Sequence, residues 1–195
     1  VHALNHDLRA PARISASFAR ALREDYADRL DDRGRHYIQR ICDANRRTRK
    51  LLDRLLAFAR LGREAVHIRD VALDTVVRIV LEDLEEQIEA RNAVIDVQPP
   101  LPVVQADFGL LELALSNLIA NALKYVPEDA RPHVTLRAET LPRGWRLAVV
   151  DRGIGISPED QGRIFRAFVR LDGEETYPGS GLGLAIAHKA VALMD

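Results

Sequence analysis

Four short stretches carry side chains whose types and spacing could do chemistry. The first is His6-Asp7-Leu8-Arg9-Ala10-Pro11. An imidazole that titrates near neutrality is a nucleophile when its second nitrogen is held by an acceptor. Asp7 is the nearest acceptor and a candidate general base. Pro11 lacks an N–H, so it frees the Asp7 carbonyl and loosens the helix one turn beyond His6. The plainer alternative is a surface histidine on a helix. His2 and His6 also stand at i, i+4, a metal-compatible spacing, but no third ligand is near in sequence.

The second stretch runs from Asn117 to Tyr125. Asn117, Asn121, Lys124 and Tyr125 fall at i, i+4, i+7 and i+8, on one helical face, with Leu113, Leu118 and Ala122 on the other side. Carboxamide oxygens can ligate Mg²⁺, which keeps several waters and takes substrate phosphates. Lys124 would add positive charge at those phosphates. A solvent-facing polar stripe is the alternative. The third stretch is Asp151-Arg152-Gly153-Ile154-Gly155, after an apolar run. Asp151 can accept from an exocyclic amine such as that of adenine, and Gly153 and Gly155 let backbone approach a flat ligand or simply turn. The fourth, Gly179-Ser180-Gly181-Leu182-Gly183, opens the last helix, where backbone N–H groups suit phosphate. It is neither the dinucleotide G-x-G-x-x-G nor a P-loop. Between the third and fourth, Phe165 and Phe168 could anchor a mobile loop at 169–180 or belong to an ordinary core.

These residues need elements to hold them. Residues 1–27 read as a helix with a seam of Leu4, Leu8, Pro11, Ser15, Phe18 and Leu22. Residues 28–34 read as a turn. Residues 35–61 read as a second helix with a seam of Ile38, Ile41, Asn45, Thr48, Leu52, Leu55 and Ala59, ended by Gly62 and Arg63. A lone helical hairpin buries too little, and dimerisation into a four-helix bundle supplies the missing surface. Beyond it, Val66–Val71 and Ala93–Val97 suggest strands, and Leu73–Ala90 and Phe108–Tyr125 helices. His133–Ala138 with Trp145–Val150 suggest a hairpin, and Gly181–Leu193 a last helix. Alternating helices and strands with an antiparallel pair predict an α/β sandwich.

Composition narrows the function. The chain of 195 residues is 47% apolar and 29% charged, an ordinary globular balance. One cysteine excludes an internal disulfide framework and a multi-cysteine zinc site. No apolar run approaches the ~18 residues of a membrane span, and no signal peptide opens the chain. Aromatics at 5% argue against a base-stacking nucleic-acid surface. The net charge of −1 hides an asymmetry: residues 1–63 hold 15 Lys+Arg against 8 Asp+Glu, and the remainder holds 13 against 21. Two units with different partners follow from that contrast.

The order of the stretches is more specific than any one of them. H-D-L-R-x-P, N-x-x-x-N-x-x-K-Y, D-x-G-x-G, F-x-x-F and G-x-G-x-G resemble the successive boxes of the sensor histidine kinases over nearly the whole chain. Segments 25–32, 55–62 and 177–183 further resemble the kinase cores attached to phytochromes. The resemblance implies a dimerisation and phosphotransfer hairpin at 1–63. A catalytic ATP-binding α/β sandwich of the gyrase, chaperone and histidine-kinase type follows at 64–195, stopping short of its C-terminal end. It implies His6 as phosphoacceptor and Asp7 as its base. Asn121 becomes the Mg²⁺ ligand with Asn117 beside it, Lys124 a phosphate contact and Tyr125 an adenine contact. Asp151 reads the adenine amine near Gly153 and Gly155, Arg170 reaches the phosphates, and Gly179, Gly181 and Gly183 anchor the segment over ATP.

The expected reaction is ATP-dependent phosphorylation of His6 and transfer to an Asp of a response-regulator receiver domain. The basic hairpin would attract that acidic receiver, and movement between the two domains would hinge near Gly62. Expected partners are a second copy, the receiver domain and a sensor domain outside this chain, with no nucleic acid, and the module is expected in the cytoplasm. Ala10, four residues after His6, cannot orient a hydrolytic water, so a kinase is favoured over a phosphatase-biased member or pseudokinase. A gyrase-type ATPase clamp and a DNA-binding helical dimer using the Arg-rich run 46–50 fit the ordered boxes less well.

Overall fold

The computed structural model describes residues 2–63, 65–142, 144–171, 177 and 179–194, without the side chains of residues 2–10, 12, 28, 50 and 54. The chain divides into two compact units, Val1–Arg60 and Leu61–Asp195. Among the described residues no helix is long and apolar enough to cross a membrane.

The first unit is a helical hairpin of α1 (His2–Asp25) and α2 (Asp32–Arg60), joined through a 3-10 turn at Ala27–Arg29. Helix α1 runs unbroken through Pro11. Helix α2 starts earlier than its apolar pattern suggests because Asp31 caps it: Asp31 Oδ1 accepts from the Gly34 amide at 2.7 Å. Gly34 thus belongs to the first turn of the helix rather than to the connection. Gly62 follows the helix end with φ +84°, the left-handed conformation that closes helices.

The packing seam differs from the predicted stripe. Ala19, Ile38 and Leu56 are buried, whereas Phe18 is 67% exposed and Leu22 and Ile41 are 44% exposed. One antiparallel neighbour covers only part of an apolar face, so the rest of the stripe stays open on a single hairpin. Midway, Asn45 Nδ2 donates to Ser15 Oγ at 2.8 Å and to the Ile41 carbonyl at 3.0 Å. The polar residues of the seam therefore meet each other.

The second unit begins with β1 (Arg69–Ala72), α3 (Leu73–Asp83), α4 (Glu85–Ala90), β2 (Val94–Gln98) and β3 (Val103–Ala106). It continues with α5 (Phe108–Lys124), β4 (His133–Leu141), β5 (Gly144–Asp151) and α6 (Gly183–Ala192). Strands β1 and β3 form an antiparallel pair, and a three-stranded sheet runs in the order β2-β4-β5. Strand β2 lies parallel to β4, with Val94 opposite His133, and β4 antiparallel to β5, with Val134 opposite Asp151. Leu73, Val76 and Val80 of α3, Leu115 and Ile119 of α5, and Val134 and Leu136 of β4 share one core.

Several boundaries depart from the apolar pattern. The single helix expected over 73–90 is two, because Leu84 turns out of helical geometry (φ −99°, ψ 4°) while burying its side chain, and tertiary packing overrides local propensity. Strand β1 is shorter and later than the expected 66–71. Strand β3 is not apparent from sequence: it has four residues, follows three prolines, and exposes Val103. Helix α5 buries Leu115, Ile119, Ala122 and Leu123 rather than Leu113 and Leu118 as its main core side. The reason is that α6 covers a second side, where Ala114, Ala187 and Ala190 pack with Leu110 and Leu118. Small residues there let the two helices approach closely. The last helix starts at Gly183, because Gly181 has φ +67°.

Candidate nucleotide site

Helix α5 is anchored by Asp107, whose Oδ1 accepts from Leu110 N at 3.1 Å and whose Oδ2 accepts from His67 N at 2.9 Å. The His67 amide bond is the main cause that lowers the Asp107 carboxyl below its usual range; the Leu110 and Gly109 amides add to it against a burial effect. This cap fixes the register of the helix that carries Asn117, Asn121, Lys124 and Tyr125. All four are half-buried, on the side facing away from the sheet core.

Asn117 Nδ2 donates to the Leu113 carbonyl at 2.8 Å, leaving Oδ1 directed toward the start of α6. A Cβ on Gly183 would lie 3.3 Å from that oxygen and 3.5 Å from the Asn121 carboxamide. Both carboxamides thus stand beside a helix N-terminus, a place where uncapped backbone N–H groups favour anions. Lys124 Nζ donates to the Tyr125 hydroxyl at 2.6 Å. The backbone of Gly179 packs directly on that ammonium: a Cβ there would stand 2.6 Å from Nζ.

The end of β5 joins the same place. Asp151 Oδ1 accepts from Gly153 N at 2.8 Å, and Ile154 N donates to the Tyr125 carbonyl at 2.9 Å. Gly153 is required here, because any Cβ would collide with the Tyr125 carbonyl oxygen and with Asp151 Oδ1. Asp151, Gly153 and Tyr125 are therefore neighbours, as are Lys124 and Gly179, and Asn117, Asn121 and Gly183. Gly155 has φ +75° with open space where a Cβ would be.

The phenylalanine stretch is tied to the last glycine stretch. Phe168 N donates to the Gly181 carbonyl at 2.9 Å. Phe168 itself has φ +64°, an uncommon conformation for a bulky residue, and a Cβ on Gly181 would stand 2.6 Å from the Val169 carbonyl. The Phe165 ring lies 5.3 Å from the His188 ring of α6. Arg170 donates from Nη2 to the Tyr177 carbonyl at 3.2 Å. Ser180 Oγ is a buried polar atom with no hydrogen-bond partner among the described residues. Orphaned buried hydroxyls are rare and point to a missing ligand or water. Residues 172–176 and Pro178 of the expected loop lie outside the described residues, as do the side chains of His6 and Asp7 in α1.

Sequence reasoning left Tyr177 and His188 without roles. Tyr177 had a signal, as an aromatic within a glycine-rich stretch; His188 had none beyond its helical register.

Paired carboxamides, a lysine, an acid at a strand end and a glycine-lined helix start thus lie along the end of α5. Residues 106–195 match the family described as histidine kinase-, DNA gyrase B- and HSP90-like ATPase, and residues 1–64 the His Kinase A (phospho-acceptor) domain. The chain belongs to the sensor histidine kinases, of which it is a catalytic core that binds ATP. It is 33% identical over 187 residues to cyanobacterial phytochrome A of Nostoc, covering 96% of this chain and 24% of that protein. It is 33% identical over 199 residues to the sensor-like histidine kinase SenX3 of Mycobacterium tuberculosis, covering 98% of this chain and 47% of that protein. Among solved structures it resembles full-length ShkA in complex with AMPPNP, with a TM-score of 0.75 and 31% identity, over 98% of this chain and 40% of that one. The chain spans about a quarter of the phytochrome's length.

Proposed function

We propose that this chain phosphorylates His6 from ATP and passes the phosphoryl group to an aspartate of a response-regulator receiver domain. The supporting observation is the junction of α5 with the start of α6, where carboxamides, Lys124, glycine backbone and the orphaned Ser180 hydroxyl lie together. That donor set suits a triphosphate and a hard cation.

In this reading residues 1–63 carry phosphotransfer and residues 64–195 carry catalysis. Asp151 accepts from the adenine amine, Gly153 and Gly155 leave room for the base, and Tyr125 packs on it. Lys124, Arg170 and the amides of Gly179, Gly181 and Gly183 meet the phosphates. Asn121, with Asn117 beside it, is the residue that would hold Mg²⁺, which when bound neutralises charge on the phosphates. One imidazole nitrogen of His6 attacks the γ-phosphorus as the bond to the β–γ bridging oxygen breaks, and ADP leaves. Asp7 holds the other ring nitrogen and takes up its proton. Positioning and charge neutralisation supply most of the acceleration.

The apolar residues left open on the hairpin suit a second copy, and its basic surface suits an acidic receiver. The module works in the cytoplasm, where ATP and receivers meet. A phosphatase-biased or pseudokinase role is disfavoured by Ala10. The test is incubation with Mg²⁺ and γ-labelled ATP. Label that is stable to alkali, labile to acid and abolished by His6→Ala is expected. Absence of label while ATP still binds would overturn the autokinase reading in favour of a pseudokinase.

A further inference from the structure

Tyr177 is the only Phe, Trp or Tyr between Phe168 and the end of the chain. Its ring lies 5.5 Å from that of Tyr125, tilted by 55°. Its carbonyl is held by Arg170, and two residues on, Gly179 packs against Lys124. Tyr125 is thereby gripped from three directions. Its carbonyl accepts from Ile154 N, its hydroxyl accepts from Lys124, and its ring packs on Tyr177. Two of these contacts fix backbone and hydroxyl. Lys124 Nζ also stands over the ring, 3.8 Å from its centroid, and Tyr177 adds the aromatic contact that holds the ring's tilt.

The geometry points to Tyr177 as a positioning residue for the adenine, acting through Tyr125: it holds the Tyr125 ring as a preformed wall for the base. This rests on the nucleotide site proposed above and adds to it a residue that selects for the base rather than the phosphates. Without that aromatic contact the Tyr125 ring has more freedom to lose when the base arrives, and that loss weakens binding. Tilted aromatic pairs are worth enough to change affinity by roughly 3- to 10-fold.

The experiment measures adenosine, ADP and ATP binding by competition against a fluorescent ATP analogue. It compares the unmodified chain with Tyr177→Ala, Tyr177→Phe, Tyr125→Ala and the double Tyr125→Ala/Tyr177→Ala. Thermal melts confirm that each variant is folded. Tyr177→Ala is expected to weaken all three ligands by the same factor, Tyr177→Phe to restore them, and Tyr177→Ala to do nothing further once Tyr125 is alanine. A loss confined to ATP and ADP, no loss at all, or losses that multiply in the double variant would each overturn the proposal. If the unmodified chain binds none of the three ligands, the nucleotide site itself is overturned, an outcome distinct from the others.

Discussion

Single residues in this chain do several kinds of work, and Asp107 shows the plainest case. It is not a site residue, yet it caps the helix that carries four of them. Asp107→Ala is expected to cost about 0.5–2 kcal/mol of stability, seen as a lower melting temperature at neutral pH. The carboxyl is lowered in the folded chain relative to about 3.9 unfolded, so its contribution is present above pH ~4. It fades as the pH falls through the lowered folded value. The difference in melting temperature between Asp107→Ala and the unmodified chain should therefore shrink below pH ~4, and a gap that persists unchanged would contradict the capping account. At this scale much was legible. Asn117, Asn121, Lys124, Tyr125, Asp151 and the glycines announce themselves because carboxamides, an ammonium and small residues are unusual companions on apolar elements. Tyr177 showed only as an aromatic in a glycine-rich stretch, since its place beside Tyr125 comes from a ring pair formed across 52 positions of chain.

Elements were read well where one face is wet and the other dry, and badly where burial is more complicated. Helices α1 and α2 have strong periodicity and were placed within a few residues. Helix α5 packs against a core on one side and α6 on another, so its apolar residues lie on more than one face and periodicity misjudges which are central. Strand β3 is too short to show alternation. The parallel pairing of β2 with β4 was invisible for another reason: sequence shows a strand's pattern but not its neighbour. The burial itself gives a test. Ile119 is 0% exposed within the core of α3, α5 and β4. Ile119→Ala is expected to destabilise the second unit by about 2–5 kcal/mol in urea unfolding. A cost below ~1 kcal/mol would mean that α5 is not seated as described.

For the molecule as a whole, the excess positive charge and an open apolar stripe fall on the same unit. The hairpin is basic and leaves Phe18, Leu22, Tyr37 and Ile41 substantially open. The expectation is a dimer in sedimentation equilibrium. Phe18→Glu should shift it toward monomer, since burying a phenylalanine is worth ~1.5–3 kcal/mol in each copy. Unchanged mass in that variant would place the dimer seam elsewhere.

The parallel pair β2–β4 also has a kinetic side. All of β3 and α5 lies between its two strands, so the sheet cannot close until that whole stretch has been made. The hairpin closes across a short 3-10 turn, with contacts that are local in the chain. Local contacts form early and distant parallel pairings late. During synthesis the hairpin segment is therefore complete, Phe18 included, while the nucleotide unit still waits for β4. Pairing of nascent copies can precede their competence to bind ATP.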